Sequence, residues 1–199
     1  MSTLRVSLRA TLVTLVFTGA LYPLVATGLA HALFPRQASG GFVAGPRGGV
    51  VGAELLAQPF KRAGYLQPRP SAAGDAGWDA MASGGSNLGP TSKKLHERVL
   101  AEAERLRREN PDAHGPVPAE LVSASASGLD PHVSPEGAQW QAPRIAKARG
   151  VDVSRVVAAL EAATEGRDLG VLGEPRVNVL MTNLALDAQF GAPPPAPVR

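Results

Sequence analysis

The longest apolar stretch of the chain covers residues 10–34, which include no Asp, Glu, Lys or Arg. A helix of this length extends about 37 Å, more than the hydrocarbon core of a bilayer at about 30 Å. Its apolar residues occur on all sides, as contact with lipid requires. The pattern predicts a membrane-spanning helix over residues 10–34, kinked at Pro23, with either a neighbouring helix or the hydroxyls of Thr18 and Thr27 taking up the backbone carbonyl that the proline frees.

A cleaved secretory signal is the competing interpretation of this stretch. Arg5 and Arg9 form a basic start, and Ala30-His31-Ala32 has the small-x-small form of a cleavage site. A signal core has about 7 to 15 apolar residues, and this stretch is longer, so we favour an uncleaved anchor. Basic residues are denser before the span than after it, which predicts a cytoplasmic N-terminus over residues 1–9 and a soluble domain outside the cytoplasm.

The polar and apolar pattern after the span divides the remaining chain into three parts. Residues 35–52 are rich in Gly and Pro, which predicts an extended linker, although the apolar run at residues 49–56 indicates an early strand. Residues 53–190 carry the alternating patterns of a folded domain. Residues 191–199 are rich in proline and predict a disordered tail.

Periodic segments predict the elements of the soluble domain. Three helices are predicted, over residues 91–110, 134–150 and 152–164. The first ends before Pro111. The second begins at a Ser134 cap, is interrupted by Pro143 and ends at Gly150. Leu121 and Val122 indicate a short strand, alternation predicts another over residues 175–182, and a short helix follows over residues 183–190. The predicted fold class is α/β, with one N-terminal transmembrane helix followed by a single mixed α/β soluble domain.

Charge and composition narrow the possible functions. With Arg5, Arg9 and Arg36 beside the span, the other 17 of the 20 basic residues balance the 17 acidic ones. A neutral soluble part does not suit nucleic-acid binding, which needs clustered basic residues. The absence of cysteine excludes disulfides, thiolate catalysis and Cys-ligated zinc. The four histidines lack the spacing of a metal site on one helix, so we predict no metal site.

Two segments carry residues typical of functional sites. The segment Ser83-Gly84-Gly85-Ser86-Asn87 is able to form an anion-binding nest of backbone amides, but Pro90 stands where a phosphate-binding P-loop has Lys. The same residues are also typical of a tight turn and a helix start, which we favour.

The second segment contains Ser127, Asp130 and His132, the residue types of a hydrolase triad. No glycine-serine-glycine elbow surrounds Ser127, and the spacing does not suit one element presenting all three side chains. Asp130 before Pro131 is typical of a turn. We therefore predict a non-catalytic accessory protein; a stand-alone membrane-anchored extracytoplasmic binding protein or hydrolase is the alternative.

Five groups of residues along the chain carry a more specific signal. They are Tyr65 with Arg69-Pro70-Ser71-Ala72, then Ser83-Gly84-Gly85-Ser86-Asn87-Leu88-Gly89-Pro90, then Ser127-Gly128-Leu129-Asp130-Pro131-His132-Val133-Ser134-Pro135, then Gln141 with Pro143-Arg144-Ile145-Ala146-Lys147-Ala148-Arg149-Gly150, and finally Leu172-Gly173-Glu174-Pro175-Arg176-Val177-Asn178-Val179-Leu180 with Asn183-Leu184-Ala185-Leu186-Asp187. In these residues and their order, over about residues 10–188, the chain resembles the KdpC family, the C subunit of the bacterial Kdp potassium-transporting P-type ATPase.

The resemblance implies a single-pass subunit of the bacterial inner membrane, in contact with lipid, that assembles with a channel-like potassium-binding subunit (KdpA type) and a P-type ATPase subunit (KdpB type). It implies no catalytic site and no cofactor of its own, and a role as a catalytic chaperone that raises the ATP affinity of the pump subunit. A contact with nucleotide or a partner is implied for Ser83, Gly84, Gly85, Ser86, Asn87 and Gln141. ATP is cytoplasmic, whereas the charges around the span predict a soluble domain outside. We therefore expect an indirect effect on ATP, with the domain over the extracellular mouth of the potassium pathway.

Overall fold

The computed structural model of the chain describes residues 2–46 and 48–194. Nine α-helices and five β-strands occur within these residues. In chain order they are α1 (Thr3–Val16), α2 (Tyr22–Leu33), α3 (Pro35–Ala38), β1 (Phe42–Ala44), β2 (Val50–Ala53), α4 (Lys93–Glu109), α5 (Ala119–Val122), β3 (His132–Val133), α6 (Pro135–Trp140), α7 (Ala142–Arg149), α8 (Val153–Ala162), β4 (Thr164–Glu165), β5 (Arg176–Asn178) and α9 (Val179–Phe190).

The N-terminal helix runs continuously over Thr3–Leu33 and begins before the predicted start at residue 10. Among residues 2–46 and 48–194, it is the one helix that is long and apolar enough to cross a membrane. Its most apolar window is not buried against the rest of the chain. The structure thus confirms one candidate span followed by a mixed soluble region.

The irregularity expected at Pro23 is a π-helical turn over Phe17–Leu21, which joins α1 to α2. A wider turn of this kind takes up a local break in the α-helical hydrogen-bond pattern, as proline causes. The Thr18 hydroxyl donates to the Thr14 carbonyl at 2.8 Å. That carbonyl is not the one that Pro23 leaves without its donor, which lies four residues before the proline. The role predicted for Thr18 is therefore wrong, and the π turn takes its place.

Residues 35–52 differ from the predicted extended linker. They contain α3 and an antiparallel hairpin formed by β1 and β2, so the early strand predicted within residues 49–56 is present. The Arg36 side chain forms an ion pair with Glu54, just after the hairpin. The Asn178 side chain donates to the Glu54 carbonyl at 2.7 Å. The hydrogen bond from Asn178 therefore attaches the hairpin to the soluble domain. The prediction of an extended linker rests on the glycines of this segment, but glycine permits tight turns as readily as an extended chain.

The soluble domain is built on a three-stranded antiparallel sheet in the order β3-β5-β4. Val177, on the central strand β5, is fully buried. Helix α8 packs against α6, α7 and α9. The other large apolar side chains at the centre of the core are Leu66, Ile145, Val156, Leu160 and Leu186. Helices around a small sheet confirm the predicted α/β class.

The helix boundaries confirm the predictions made from capping residues. Helix α4 begins after Ser92, whose hydroxyl accepts the Leu95 amide at 3.4 Å, and it ends before Pro111. Ser134 accepts the Gly137 amide at 3.0 Å at the start of α6. Gly150 ends α7 with a left-handed φ of 65°, where a residue without Cβ is least strained.

One predicted strand is absent, and another is shorter than predicted. Leu121 and Val122 lie in the short helix α5. The strand predicted over residues 175–182 is limited to Arg176–Asn178, because Asn178 caps α9 by accepting the Met181 amide at 3.0 Å. Helix α9 therefore starts before the predicted residue 183.

The predicted tail is only partly described. Within residues 191–194, the Pro193 carbonyl accepts a hydrogen bond from Arg62 at 3.2 Å, and the Gly191 carbonyl accepts one from Arg149 at 2.5 Å. This part of the tail therefore contacts the domain. Residues 195–199 of the predicted tail lie outside the described residues.

Candidate functional site

The segment from Ser83 to Asn87 packs against a second loop that contains Ser127. The Ser83 hydroxyl donates to the Ser127 carbonyl at 3.0 Å, and the Gly84 amide donates to the same oxygen at 2.8 Å. A Cβ on Gly85 would lie 2.8 Å from the carbonyl oxygen of Ala126. The paired glycines therefore allow two backbones to approach closely, and one backbone amide of the expected nest, that of Gly84, is already engaged within the chain.

A third loop joins this contact through Ser71. Its hydroxyl donates to the Gly128 carbonyl at 2.6 Å and accepts the amides of Ala73 at 3.1 Å and Trp78 at 2.7 Å. Gly128 has a φ of +68°, and a Cβ there would lie 2.6 Å from the Gly84 oxygen and 2.7 Å from the Ala73 nitrogen. We call the three segments, residues 71–78, 83–87 and 125–128, the loop cluster. Motifs far apart in the sequence meet in it.

Asp130 connects the loop cluster to strand β3. Arg69 contacts its carboxylate at 3.1 Å, and the backbone amide of His132 donates to it at 3.0 Å. Burial acts to raise the pKa of Asp130, but the contacts from His132 and Arg69 outweigh burial and hold that pKa below its usual value. The carboxylate is therefore ionised at neutral pH and ties the two segments together, which agrees with its predicted turn role.

The side chains of Ser127, Asp130 and His132 do not form a triad. The Ser127 hydroxyl oxygen accepts the Leu129 amide at 3.1 Å. The His132 Nδ1 lies 3.7 Å from the nearer Asp130 oxygen, beyond a good hydrogen bond. Across residues 2–46 and 48–194, no hydrogen bond joins Ser127 to His132. The arrangement does not supply the nucleophile–base contact that defines such a site.

Gln141, the other predicted contact, lies in the core and not in the loop cluster. It is 0% exposed. Its side-chain oxygen accepts the Gln67 amide at 2.9 Å and Arg144 at 2.7 Å, and its nitrogen donates to the carbonyls of Gln67 at 3.2 Å and Gly137 at 3.3 Å. These four bonds use the whole capacity of the amide. The structure therefore separates Gln141 from Ser83, Gly84, Gly85, Ser86 and Asn87 and gives it a structural role.

Arg144 is a residue that sequence reasoning did not single out. Its guanidinium is almost fully buried and donates to Asn110 at 2.8 Å, to the Tyr65 carbonyl at 3.0 Å, to the Ala63 carbonyl and to Gln141. Burial lowers the pKa of Arg144 to about 10, so it remains charged at neutral pH. Its sequence signal is its place in the motif that runs from Pro143 to Gly150, on a helix where the adjacent Ile145 is buried.

A cleft of 410 Å³ adjoins the loop cluster, from which Ser71 and Trp78 contribute to its wall. Glu102 and Glu109 also line the cleft, and Arg105 lies between them, at 2.5 Å and 2.7 Å from their carboxylates. Lys61 also lines the cleft, so its two acidic side chains are balanced by two basic ones and the lining has no net charge. A triphosphate normally binds to excess positive charge or free backbone amides, and the side chains of this lining provide no such excess.

A matched pair of glycine variants tests why the Ser83 segment contains adjacent glycines. We expect Gly85→Ala to lower the free energy of unfolding by about 1–3 kcal/mol, because the new methyl group meets Ala126 backbone. Gly89 lies two residues after this segment and has nothing within 4 Å of the position that a methyl group would take, so we expect Gly89→Ala to be neutral or stabilising by up to about 1 kcal/mol. Urea unfolding of the full chain in detergent measures both. Equal stability of the two variants would contradict the packing role of Gly85.

The fold and the loop cluster together define a class of protein: one with a single candidate membrane span and one mixed α/β domain in which three motif-bearing loops pack together. The family model of KdpC, described as the c chain of the K⁺-transporting ATPase, matches residues 4–188. The chain therefore belongs to the KdpC family, and the resemblance noted from its motifs is confirmed.

Curated relatives agree with the family match over nearly the whole chain. The potassium-transporting ATPase KdpC subunit of Myxococcus xanthus is 65% identical over 195 residues, which are 98% of this chain and 92% of that protein. The KdpC subunit of Rhodospirillum rubrum is 54% identical over 174 residues, covering 87% of this chain and 89% of the relative. That of Sorangium cellulosum is 50% identical over 184 residues, 92% of this chain and 96% of the relative.

Proposed function

We propose that this chain is a non-catalytic accessory subunit of a high-affinity, ATP-driven potassium uptake complex, needed for assembly of the complex and acting as a catalytic chaperone that raises the ATP affinity of the pump subunit. The observation that carries the proposal is the family match, which covers both the candidate span and the soluble domain. The names of the relatives, each a potassium-transporting ATPase KdpC subunit, support it.

The effect on ATP is proposed to be indirect. Three features favour this over a nucleotide site of the chain's own: Ser83 and Gly84 are hydrogen-bonded to Ser127, the amide of Gln141 is saturated, and the lining of the cleft beside the loop cluster has no excess of positive charge. A subunit that binds one conformer of a pump more tightly than another shifts the pump toward that conformer. If that conformer also binds ATP more tightly, binding of the subunit raises the affinity of the pump for ATP although the subunit and ATP do not touch.

The proposed setting is the bacterial inner membrane. The candidate span anchors the chain in lipid beside the helices of a channel-like potassium-binding subunit and a P-type ATPase subunit, with its N-terminus in the cytoplasm. Arg5 and Arg9, which precede the apolar window, favour this orientation by the positive-inside rule. The soluble domain then lies outside the cytoplasm, over the entry of the potassium pathway, and acts on ATP through the pump's conformational equilibrium.

Removal and re-addition of the chain tests this function. We expect the complex purified without it to have a raised KM for ATP and a reduced yield of assembled pump, and expect re-addition of the full chain in detergent to restore the KM. A Ser127→Ala variant is the control, and we expect it to restore the KM as the unmodified chain does. An unchanged KM without the chain would contradict the chaperone role. A hydrolase activity of the chain alone, lost in Ser127→Ala, would support the alternative instead.

A further inference from the structure

The loop between β4 and β5 exposes a group of large apolar side chains. Leu169 is 90% exposed, Val171 72% and Leu172 58%. Single exposed apolar residues are ordinary on a protein surface, whereas neighbouring ones mark an interaction site. We call Leu169, Val171 and Leu172 the apolar tip. Neither the proposed ATP effect nor the loop cluster uses it.

The apolar tip is held by its own hairpin. The Asp168 amide donates to the Leu172 carbonyl at 2.8 Å, and the Leu172 amide donates back to the Asp168 carbonyl at 2.9 Å. Below this bridge, Arg167 pairs with Glu174 at 2.6 Å. The hairpin continues into β5, the central strand of the sheet. A loop fixed in this way loses little conformational freedom when a partner binds.

Leu169 also occupies an unfavourable backbone conformation. Its φ is +53°, in the left-handed region that disfavours side chains other than those of Gly, Asn and Asp. A strained residue is usually retained because its side chain packs in the core, but the Leu169 side chain is almost fully exposed. The folded chain therefore gains little from leucine at this position, which points to a contact outside the chain.

The charges around the apolar tip favour a protein over a lipid surface. Residues 165–176 contain three acidic residues and two basic ones, with no Lys and no aromatic residue. Segments that insert into membrane surfaces usually carry an excess of Lys or Arg and aromatic anchors at the interface. The acidic and basic side chains here pair with each other: Arg176 contacts both Glu165 at 3.0 Å and Asp168 at 3.4 Å. A ring of paired charges around apolar side chains resembles the rim and core of a protein interface.

We propose that the apolar tip docks into an apolar pocket on the channel-like potassium-binding subunit, because the proposed function places the soluble domain over the entry of the potassium pathway. This inference rests on the proposed function, which supplies the partner. The tip provides a preformed apolar contact, and its paired charges form the rim. Docking of a strained, exposed leucine explains why a residue unfavourable for the free chain occupies the turn.

The absence of natural cysteine allows a direct test of this contact. A Leu169→Cys chain is labelled with a membrane-impermeant maleimide in two states: alone in proteoliposomes, and within the assembled complex in the same lipid. We expect labelling to be fast for the chain alone and slower by at least about tenfold in the complex, because an apolar pocket shields the thiol. Leu100→Cys, at a leucine on α4 that is 56% exposed, is the matched control and should label equally in both states.

The outcomes separate this inference from the proposed function. Fast labelling in an intact complex would overturn the docking of the tip while leaving the accessory role in place. Slow labelling of the chain alone would show that lipid covers the tip and would also overturn the proposal. Failure of the unmodified chain to form any complex would instead count against the proposed function.

A second variant distinguishes docking from folding. Leu169→Gly relieves the unfavourable φ, so we expect the free chain to unfold at an equal or higher urea concentration. The same variant removes the central apolar contact, so we expect the dissociation constant of the chain from the complex to rise about ten- to a hundredfold. Retention of the chain at the unmodified level, with unchanged stability, would contradict the docking role.

Discussion

Replacement of Arg144 by methionine is expected to lower the free energy of unfolding of the soluble domain by about 3–5 kcal/mol. The side chain is almost fully buried, and its guanidinium satisfies Asn110, Gln141 and the carbonyls of Ala63 and Tyr65. Methionine occupies a similar volume but donates no hydrogen bond. Several buried acceptors therefore lose a partner at once, and each costs about 1–3 kcal/mol when it is left unsatisfied.

Urea unfolding of the full chain in detergent measures this effect through tryptophan fluorescence, since Trp140 lies in the core. Arg144→Lys should recover only part of the lost stability, because one ammonium does not reproduce the planar set of donors. Arg108→Ala is the control: its side chain is 70% exposed and pairs only with Glu104, so we expect a change within about 0.5 kcal/mol. An Arg144→Met chain as stable as the control would show that the hydrogen bonds of Arg144 contribute little to the free energy of unfolding.

The elements that the sequence predicts correctly are those with local start and stop signals. Ser134 and Pro135 begin α6, and Gly150 ends α7, because a cap and a left-handed turn depend on residues within one helical turn. The candidate span is predicted for a similar reason: its length and lack of charge are properties of one segment. Such features need no knowledge of what packs against them.

The errors arise where a short apolar run is compatible with two structures. Val177 and Val179 alternate with polar residues as in a strand, yet the strand ends at Asn178 and Val179 begins a helix. The Val179 amide donates to the Pro131 carbonyl at 2.9 Å, a partner distant in the sequence. Periodicity over so few residues does not separate a strand from a buried helix, and tertiary contacts decide the outcome.

The sequence motifs mark the segments of the loop cluster but not how they pack together. The glycines of the Ser83 segment are compatible with an anion nest or a tight turn when only neighbours in the sequence are considered. Their close contact with Ala126 and Gly128 requires the fold to bring two loops together. The role of Gln141 was not predictable for the same reason, because its side chain is hydrogen-bonded to the backbone of Gln67, which belongs to another segment.

Alanine at Gly128 is the change expected to disturb the loop cluster most. The φ of Gly128 is +68°, and the added methyl group would lie 2.6 Å from the Gly84 oxygen and 2.7 Å from the Ala73 nitrogen. Backbone strain costs about 1–2 kcal/mol, and displacement of two packed backbones adds about 1–3 kcal/mol. We therefore expect the free energy of unfolding to fall by about 2–5 kcal/mol, measured by urea unfolding of the full chain.

Gly115 supplies the control that separates strain from steric contact. Its φ is +79°, but nothing lies within 4 Å of the position that a methyl group would take. Gly115→Ala therefore carries the conformational strain alone, and we expect a loss of about 1–2 kcal/mol. The excess loss in Gly128→Ala measures the contact among the three loops. Equal losses in the two variants would mean that the loops move apart at little cost, and the loop cluster would then be a set of adjustable surface turns instead of one packed unit.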